Sequence, residues 1–130
     1  LIAADYCVPA GLIAQSQAKD GTVTDLRVSD DHEITAPVVC LVNSGTAGGA
    51  ELFANALRRM SGASLIGTTT AGKGVLLSEP QSFSDLDGSG LTPDIEAALT
   101  TDEQSSYYDF TIETDPQINR AVTALAALVS

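Results

Sequence analysis

The sequence predicts an α/β domain with a parallel sheet, and three consecutive segments indicate this. The apolar run VVCLVN (38–43) is typical of a strand that is covered on both faces. An amphipathic helix of about three turns follows it, and ASLIGT (63–68) reads as a second apolar strand. Residues 38–68 therefore predict a βαβ unit with a right-handed crossover, which makes its two strands parallel.

The predicted helix separates its residues into two faces. Glu51, Asn55, Arg58 and Arg59 share the polar face, and the Ser-Gly pair at 61–62 ends the helix. The apolar face carries Leu52, Phe53, Ala56, Leu57 and Met60. This division predicts that the apolar face packs on the sheet and that the polar face meets solvent.

Further elements are predicted on either side of this unit. GLIAQSQ (11–17) and TVTDLRV (22–28) flank an Asp-Gly pair and predict a β-hairpin, and the polar segment 29–37 predicts a loop. Another strand is expected at 74–78 and a loop at 82–94.

The chain is expected to close with a helix. Asp115 is placed to cap it and Pro116 to occupy its first position. Its buried stripe is expected to consist of Ile118, Ala121, Val122, Leu125 and Val129.

The composition limits the classes of partner. The 130 residues are enough for one compact domain. Six basic and 17 acidic side chains give a formal charge of −11, which repels phosphate backbones and anionic lipid heads. No apolar run reaches the roughly 20 residues of a membrane span. Neither nucleic acid nor a membrane is therefore expected as a partner.

The first residues predict a fragment of a longer chain, and the two cysteines allow two interpretations. LIAADY lacks the basic flank of a signal peptide and reads as the interior of a longer precursor. Cys7 and Cys40 could form one disulfide, but each lies among apolar residues, where a buried free thiol is at least as common. Both interpretations of the cysteines stay open.

The junction between the strand at 38–43 and the helix is the first candidate site. A turn that leads directly into a helix points backbone N–H groups and the positive end of the helix dipole at a ligand. Acyl-transfer hydrolases commonly place their nucleophile and an oxyanion amide in such a turn. Gly48 and Gly49 stand there, and the alternative is that small residues merely let helix and strand pack closely.

Lys73 is the second candidate, because it stands between two glycines in a mostly apolar segment. Burial lowers the pKa of a lysine and lets it act as a general base for a serine. A Ser-Lys dyad between the two segments is therefore conceivable. No serine stands in the turn at 45–49, however, and a surface lysine is the simpler interpretation of Lys73 alone.

The segment VVCLVNSGTAGGAELFANALRRMSGASLIGTTTAGKG resembles the core of the carboxyl-terminal processing peptidases, also called tail-specific proteases. The family pattern is approximately VN-x-G-[ST]-A-S-[AG]-[SA]-E followed by T-x-G-K-G. Asn43, Gly45, Thr46, Ala47 and Glu51 match its first part, and Thr70, Gly72, Lys73 and Gly74 match its second. GLTPDI (90–95), DPQINRAV and DYCVPAGLIAQSQAKDG extend the resemblance over nearly the whole chain.

This resemblance implies a ClpP/crotonase-like α/β fold and a serine endopeptidase with a Ser-Lys dyad. Gly48 takes the nucleophile position, Lys73 that of the general base, and the Gly49 N–H that of an oxyanion donor. Gly45, Thr46 and Ala47 would line the substrate site. The family needs no cofactor, acts on peptides or unfolded proteins, and is usually exported, which implies an extracytoplasmic location.

Three departures from the family pattern bear on activity. Counting three residues back from Glu51 and 25 back from Lys73 both lead to Gly48, so the nucleophile position holds glycine. The glutamine that orients the lysine in the family is replaced by Leu77. The first core strand, with its second oxyanion amide, and a PDZ-like region would precede Leu1, so residues 1–130 read as the C-terminal part of such a catalytic domain.

The predicted function is therefore an endopeptidase domain that is inactive as written. Whether Gly48 is natural or engineered stays open, and Ser44 and Thr46 are not expected to replace the serine. The alternative is a non-catalytic peptide-binding or scaffold domain of the same descent, and a dimer would cover exposed strand edges.

A third interpretation is a calcium-binding module. Asp85, Asp87, Ser89 and Glu96 fit the spacing of a calcium loop. Pro93 and the lack of an entering helix argue against it. His32, among acidic neighbours, predicts a solvated loop and not a metal site.

Overall fold

The computed structural model describes residues 2–30, 34–73 and 88–129. The predictions for His32, the strand at 74–78, Leu77 and the calcium-loop residues Asp85 and Asp87 lie outside the described residues. In chain order the elements are α1 (Ile2–Asp5), β1 (Gly11–Gln17), β2 (Val23–Ser29), β3 (Val39–Val42), α2 (Gly49–Ser61), β4 (Ser64–Gly67), β5 (Ile95–Glu96), α3 (Thr101–Ser105), a 3-10 turn (Tyr107–Asp109) and α4 (Pro116–Leu128).

The strands form two sheets. β1 and β2 make an antiparallel hairpin whose register shifts around Ile13. β3, β4 and β5 make a second sheet in that order, and both of its pairings are parallel. The predicted hairpin and the parallel βαβ unit at 38–68 are both confirmed.

Helix α2 joins the two sheets because both of its sides are buried. Ala56 and Leu57 belong to a cluster with Val8, Ile13 and other residues of the hairpin side. Ala54 belongs to a second cluster with three residues of the parallel-sheet side, Val42, Leu65 and Leu91. The helix ends at Gly62, whose left-handed backbone (φ 68°) provides the C-cap, as the Ser-Gly pair predicts.

Three expectations about burial are wrong. Glu51, placed on the polar face of α2, is completely buried. Leu41 of β3 is 44% exposed, so this strand is not covered on both faces. In α4, which Asp115 caps as predicted, Ala121 is buried, but Val122 and Val129 are exposed. Helix α4 contacts β3 and β4, and Val129 lies beyond its last residue, Leu128.

Cys7 and Cys40 are free thiols and both pack against the hairpin-side cluster. Burial raises the pKa of the Cys40 thiol. The structure thus favours the second of the two interpretations of the cysteines.

Candidate active site

A tight turn connects β3 to α2. The Thr46 N–H donates to the Asn43 carbonyl (2.8 Å), and the Asn43 N–H donates to Thr46 Oγ1 (3.1 Å). The Gly45 N–H donates to Asn43 Oδ1 (2.9 Å). Ser44 and Gly45 are therefore the central residues of the turn, and the Thr46 hydroxyl is engaged by the backbone, in agreement with the expectation that it does not replace a nucleophile.

Gly48 immediately precedes α2 with φ 56° and ψ −119°. Residues with a side chain rarely adopt this conformation, which is typical of strained, functional turns. A Cβ placed on Gly48 would lie 3.6 Å from the Lys73 backbone oxygen, an ordinary van der Waals contact. The elbow (residues 45–49) thus has room for a side chain, and that side chain would lie beside Lys73.

Gly49 is the first residue of α2. At this position the N–H group has no acceptor inside the helix and lies at the positive end of the helix dipole. The Gly48 N–H, by contrast, is used internally, since it donates to Glu51 Oε2 (3.0 Å). The Gly49 N–H is therefore the chemically suitable oxyanion donor in the elbow.

Glu51 connects the elbow to the lysine segment (residues 70–73). Its Oε1 accepts hydrogen bonds from the Thr70 hydroxyl and from the Gly72 N–H (2.8 Å), and the Lys73 N–H also donates to the carboxylate. Thr70 Oγ1 in turn accepts from the Leu91 N–H (2.7 Å). Burial raises the pKa of Glu51, but the hydrogen bonds from Thr70, Gly72, Gly48 and Lys73 outweigh it and leave the pKa below its ordinary value.

The lysine segment also contacts the turn directly, because the Ala71 N–H donates to the Thr46 carbonyl (2.9 Å). The structure therefore brings Gly48 and Lys73 together, as the sequence spacing predicts. Lys73 itself is exposed, in agreement with the surface interpretation of this residue taken alone. Gly45, Thr46 and Ala47 all lie in the same elbow.

Sequence reasoning missed two residues of the site, Glu51 and Thr70. The sequence pattern places Glu51 on the polar face of α2 and identifies Thr70 only as a matched position of the family pattern. Their roles come from a contact across 19 positions of the chain, which helix periodicity does not reveal. The available signal was the fixed distance between a glutamate and a T-x-G-K segment in the family pattern.

The described residues contain neither a membrane-spanning helix nor a cluster of metal ligands. None of the helices in the described part of the chain combines the length and apolar character needed to cross a membrane. Within residues 2–30, 34–73 and 88–129, no three His, Cys, Asp or Glu side chains are gathered as metal ligands.

The family model of peptidase family S41 matches residues 1–118. The chain belongs to peptidase family S41. Its elbow and lysine segment therefore lie in a serine peptidase by family, and the predicted kinship with carboxyl-terminal processing peptidases is confirmed.

Three curated S41 relatives are proteases of the carboxyl-terminal processing kind. The carboxy-terminal processing protease CtpA of Bacillus subtilis (strain 168) is 42% identical over 64 residues, which is 49% of this chain and 14% of CtpA. The carboxyl-terminal-processing protease of Synechocystis sp. is 28% identical over 124 residues, 95% of this chain and 28% of that protein. Carboxyl-terminal-processing peptidase 3, chloroplastic, of Arabidopsis thaliana is 37% identical over 75 residues, 56% of this chain and 14% of the relative. The chain thus spans less than a third of each of these proteins.

Solved structures share the fold. The photosystem II D1 C-terminal processing protease matches 74% of this chain and 30% of its own with a TM-score of 0.66 and 24% identity. A putative peptidase from Parabacteroides merdae matches 95% of this chain and 45% of its own chain, with a TM-score of 0.62 and 20% identity. The tricorn protease matches 89% of this chain and 12% of its own chain, with a TM-score of 0.56 and 18% identity. The predicted α/β fold is confirmed for this S41 chain.

Proposed function

We propose that the chain is a carboxyl-terminal processing endopeptidase domain of the Ser-Lys kind that binds peptide but does not cleave it, because Gly48 occupies the nucleophile position. The observation that carries the proposal is the Gly48 backbone (φ 56°, ψ −119°) beside Lys73. This is the conformation expected of a nucleophile elbow. Here it carries no side chain.

A serine at position 48 would supply the missing step. Its hydroxyl would attack the peptide carbonyl, Lys73 would accept the hydroxyl proton, and the Gly49 N–H would stabilise the oxyanion. Without that hydroxyl, the elbow still offers a hydrogen-bond donor to the carbonyl oxygen of an extended peptide. Peptide binding without cleavage is therefore the expected activity of this chain.

Three further points belong to the same proposal. Residues 1–130 correspond to the C-terminal part of the catalytic domain, in keeping with the 14–28% of each curated relative that the chain spans. A homo-oligomer would cover the exposed Leu41 of β3. The location is extracytoplasmic, by kinship with processing proteases.

The test is cleavage of casein, an unstructured protein, by the chain, by Gly48→Ser, and by each of these combined with Lys73→Ala. We expect cleavage only by the Gly48→Ser single variant. Gly49→Ser is the matched control, because it places a hydroxyl one residue further along, where a Cβ meets open space. Circular dichroism confirms that each variant is folded.

The outcomes separate the parts of the proposal. A folded Gly48→Ser variant that does not cleave contradicts the Ser-Lys assignment. Cleavage that survives Lys73→Ala contradicts the role of Lys73 as the base. Cleavage by the unaltered chain contradicts its inactivity.

A further inference from the structure

A cavity of about 360 Å³, whose lining is more apolar than polar, adjoins the elbow, and its volume falls in the range of small-ligand pockets, about 300–1,000 Å³. Its lining residues lie after the carboxyl ends of β3 and β4 or on the segment that forms β5. They are Ser44, Thr68, Thr69, Thr92, Pro93 and Glu96. In open α/β sheets ligands bind outside the carboxyl ends of the strands, so the cavity lies on the side where a ligand is expected.

The cavity and the elbow are parts of one surface. Ser44 is a central residue of the turn that leads to Gly48. Thr68 and Thr69 immediately precede the lysine segment, and the Thr68 N–H donates to the Val42 carbonyl (3.0 Å), which holds this segment beside β3. A peptide lying across the elbow therefore passes the mouth of the cavity.

The chemistry of the lining favours a positively charged occupant. Four hydroxyl groups and one carboxylate, that of Glu96, supply hydrogen-bond acceptors. Lysine and arginine side chains carry three and five N–H donors and no acceptor. An acidic side chain would meet the Glu96 carboxylate as a like charge, whereas lysine and arginine combine an aliphatic stem, which suits the apolar part of the lining, with a charged head that can pair with this carboxylate.

Among the described residues, no basic side chain forms an ion pair with the Glu96 carboxylate. Arg120 lines a neighbouring cavity together with Glu96, but these two described residues form no ion pair. The chain as a whole carries a formal charge of −11, which draws cationic peptides toward its surface.

We infer that this cavity is a specificity pocket that binds the lysine or arginine side chain of a peptide lying across the elbow, with Glu96 as its counter-ion. This inference rests on the proposed peptide-binding function and adds the substrate class to it.

The test measures peptide binding to the unaltered chain, so it needs no cleavage. Fluorescence anisotropy compares labelled unstructured peptides that differ only at one central residue, which is Lys, Arg, norleucine or Glu. We expect the Lys and Arg peptides to bind about fivefold more tightly than the norleucine peptide, the effect of a partly exposed ion pair. The Glu peptide should bind most weakly.

Two variants distinguish the pocket from general attraction to an acidic protein. Glu96→Gln should reduce the advantage of the Lys peptide over the norleucine peptide to less than about twofold. Asp109→Asn removes the same charge from an exposed site outside the cavity and should keep the full advantage.

The remaining outcomes of these binding measurements would contradict either the pocket assignment alone or the peptide-binding function as well. If peptides bind without any preference for Lys or Arg, or if the preference survives Glu96→Gln, the pocket assignment is wrong and the proposed function stands. If the preference falls equally in Asp109→Asn, it reflects net charge and the pocket assignment is also wrong. If none of the peptides binds, both the pocket and the peptide-binding function are overturned.

Discussion

Glu51 gathers hydrogen bonds from two separate parts of the chain onto one buried carboxylate. Its donors are the Gly48 N–H before α2 and three groups of the lysine segment. A buried carboxylate is tolerated only when such donors replace its hydration. The Glu51 side chain therefore holds the elbow and the lysine segment together, alongside the backbone hydrogen bond from Ala71 to Thr46.

Glu51→Gln should lower the free energy of unfolding by about 2–3 kcal/mol, because the amide NH₂ replaces an acceptor that faces N–H donors. Urea unfolding monitored by circular dichroism measures the change. Asp102→Asn, at an exposed acid in the first turn of α3, is the control and should change stability by less than about 0.5 kcal/mol. Equal losses in the two variants would contradict the role of the Glu51 hydrogen bonds.

The same carboxylate predicts a pH dependence. Because the pKa of Glu51 in the folded state is lowered from 4.5, its ionised form contributes stability that is fully present above pH 4.5 and is lost as the pH falls through the lower folded value. The difference in unfolding free energy between the unaltered chain and Glu51→Gln should therefore be constant from pH 7 to about 5 and shrink below 4.5. If the difference in unfolding free energy grew on acidification, it would contradict a lowered pKa of Glu51 in the folded state.

Substitution by alanine should have opposite effects on stability at the adjacent residues Gly48 and Gly49. Gly48→Ala should cost about 1–3 kcal/mol, because its φ of 56° is strained for any residue with a Cβ. Gly49→Ala should stabilise the chain by about 0.5 kcal/mol, since Gly49 is helical and its Cβ would meet open space. Thermal or urea unfolding of both variants provides the comparison, and equal effects would contradict the elbow conformation.

How far the site could be predicted from sequence differs between these residues. Gly48 and Lys73 were found because a family pattern fixes their spacing. The burial of Glu51 could not be predicted, because its polar character and its place on the polar face of α2 both predict exposure. The partners that reverse this prediction, Thr70 and Gly72, are 19 and 21 positions away.

At the scale of elements, β3 and β4 approach each other closely at their carboxyl ends. A Cβ on Gly67 would lie 1.9 Å from the Val42 carbonyl oxygen, so the backbone itself occupies the space of a side chain. The position of β4, and with it the start of the lysine segment, therefore requires glycine here.

Gly67→Ala should lower the free energy of unfolding by about 3 kcal/mol or more, because β3 and β4 must separate to admit the methyl group. Gly62→Ala is the matched control. Gly62 also has a positive φ (68°), but its Cβ would meet open space, so the cost should be only about 1–2 kcal/mol. Urea unfolding of the two variants measures the difference, and equal costs would contradict the close contact between the strands.

The elements that sequence patterns predicted well are those with enough residues to show a period. Helix α2, the hairpin and the capped helix α4 belong to this group. The two-residue strand β5 does not, since Ile95 and Glu96 are too few to show alternation. β5 is held instead by its neighbours, because the Asp94 N–H donates to the Leu65 carbonyl and the Ala97 N–H to the Gly67 carbonyl.

At the scale of the whole molecule, the formal charge of −11 places most of the chain in its own negative field. Salt screens such repulsion, and the screening length falls from about 30 Å at 0.01 M to about 8 Å at 0.15 M ionic strength. The melting temperature at pH 7 should therefore rise by about 3 °C over this range of sodium chloride. Near the isoelectric point of about 4.1 the rise should disappear, and a rise of equal size there would contradict self-repulsion as its cause.

At position 48, the residue that best stabilises the elbow differs from the residue that could act as a nucleophile there. A glycine relaxes the elbow, whereas the serine needed for attack must be held in a conformation that opposes it. A lineage released from selection for cleavage therefore gains stability by exchanging serine for glycine at this position, and the reverse exchange is unfavourable. Because Glu51 holds the elbow and the lysine segment together without any contribution from a side chain at position 48, this framework does not depend on which residue stands there.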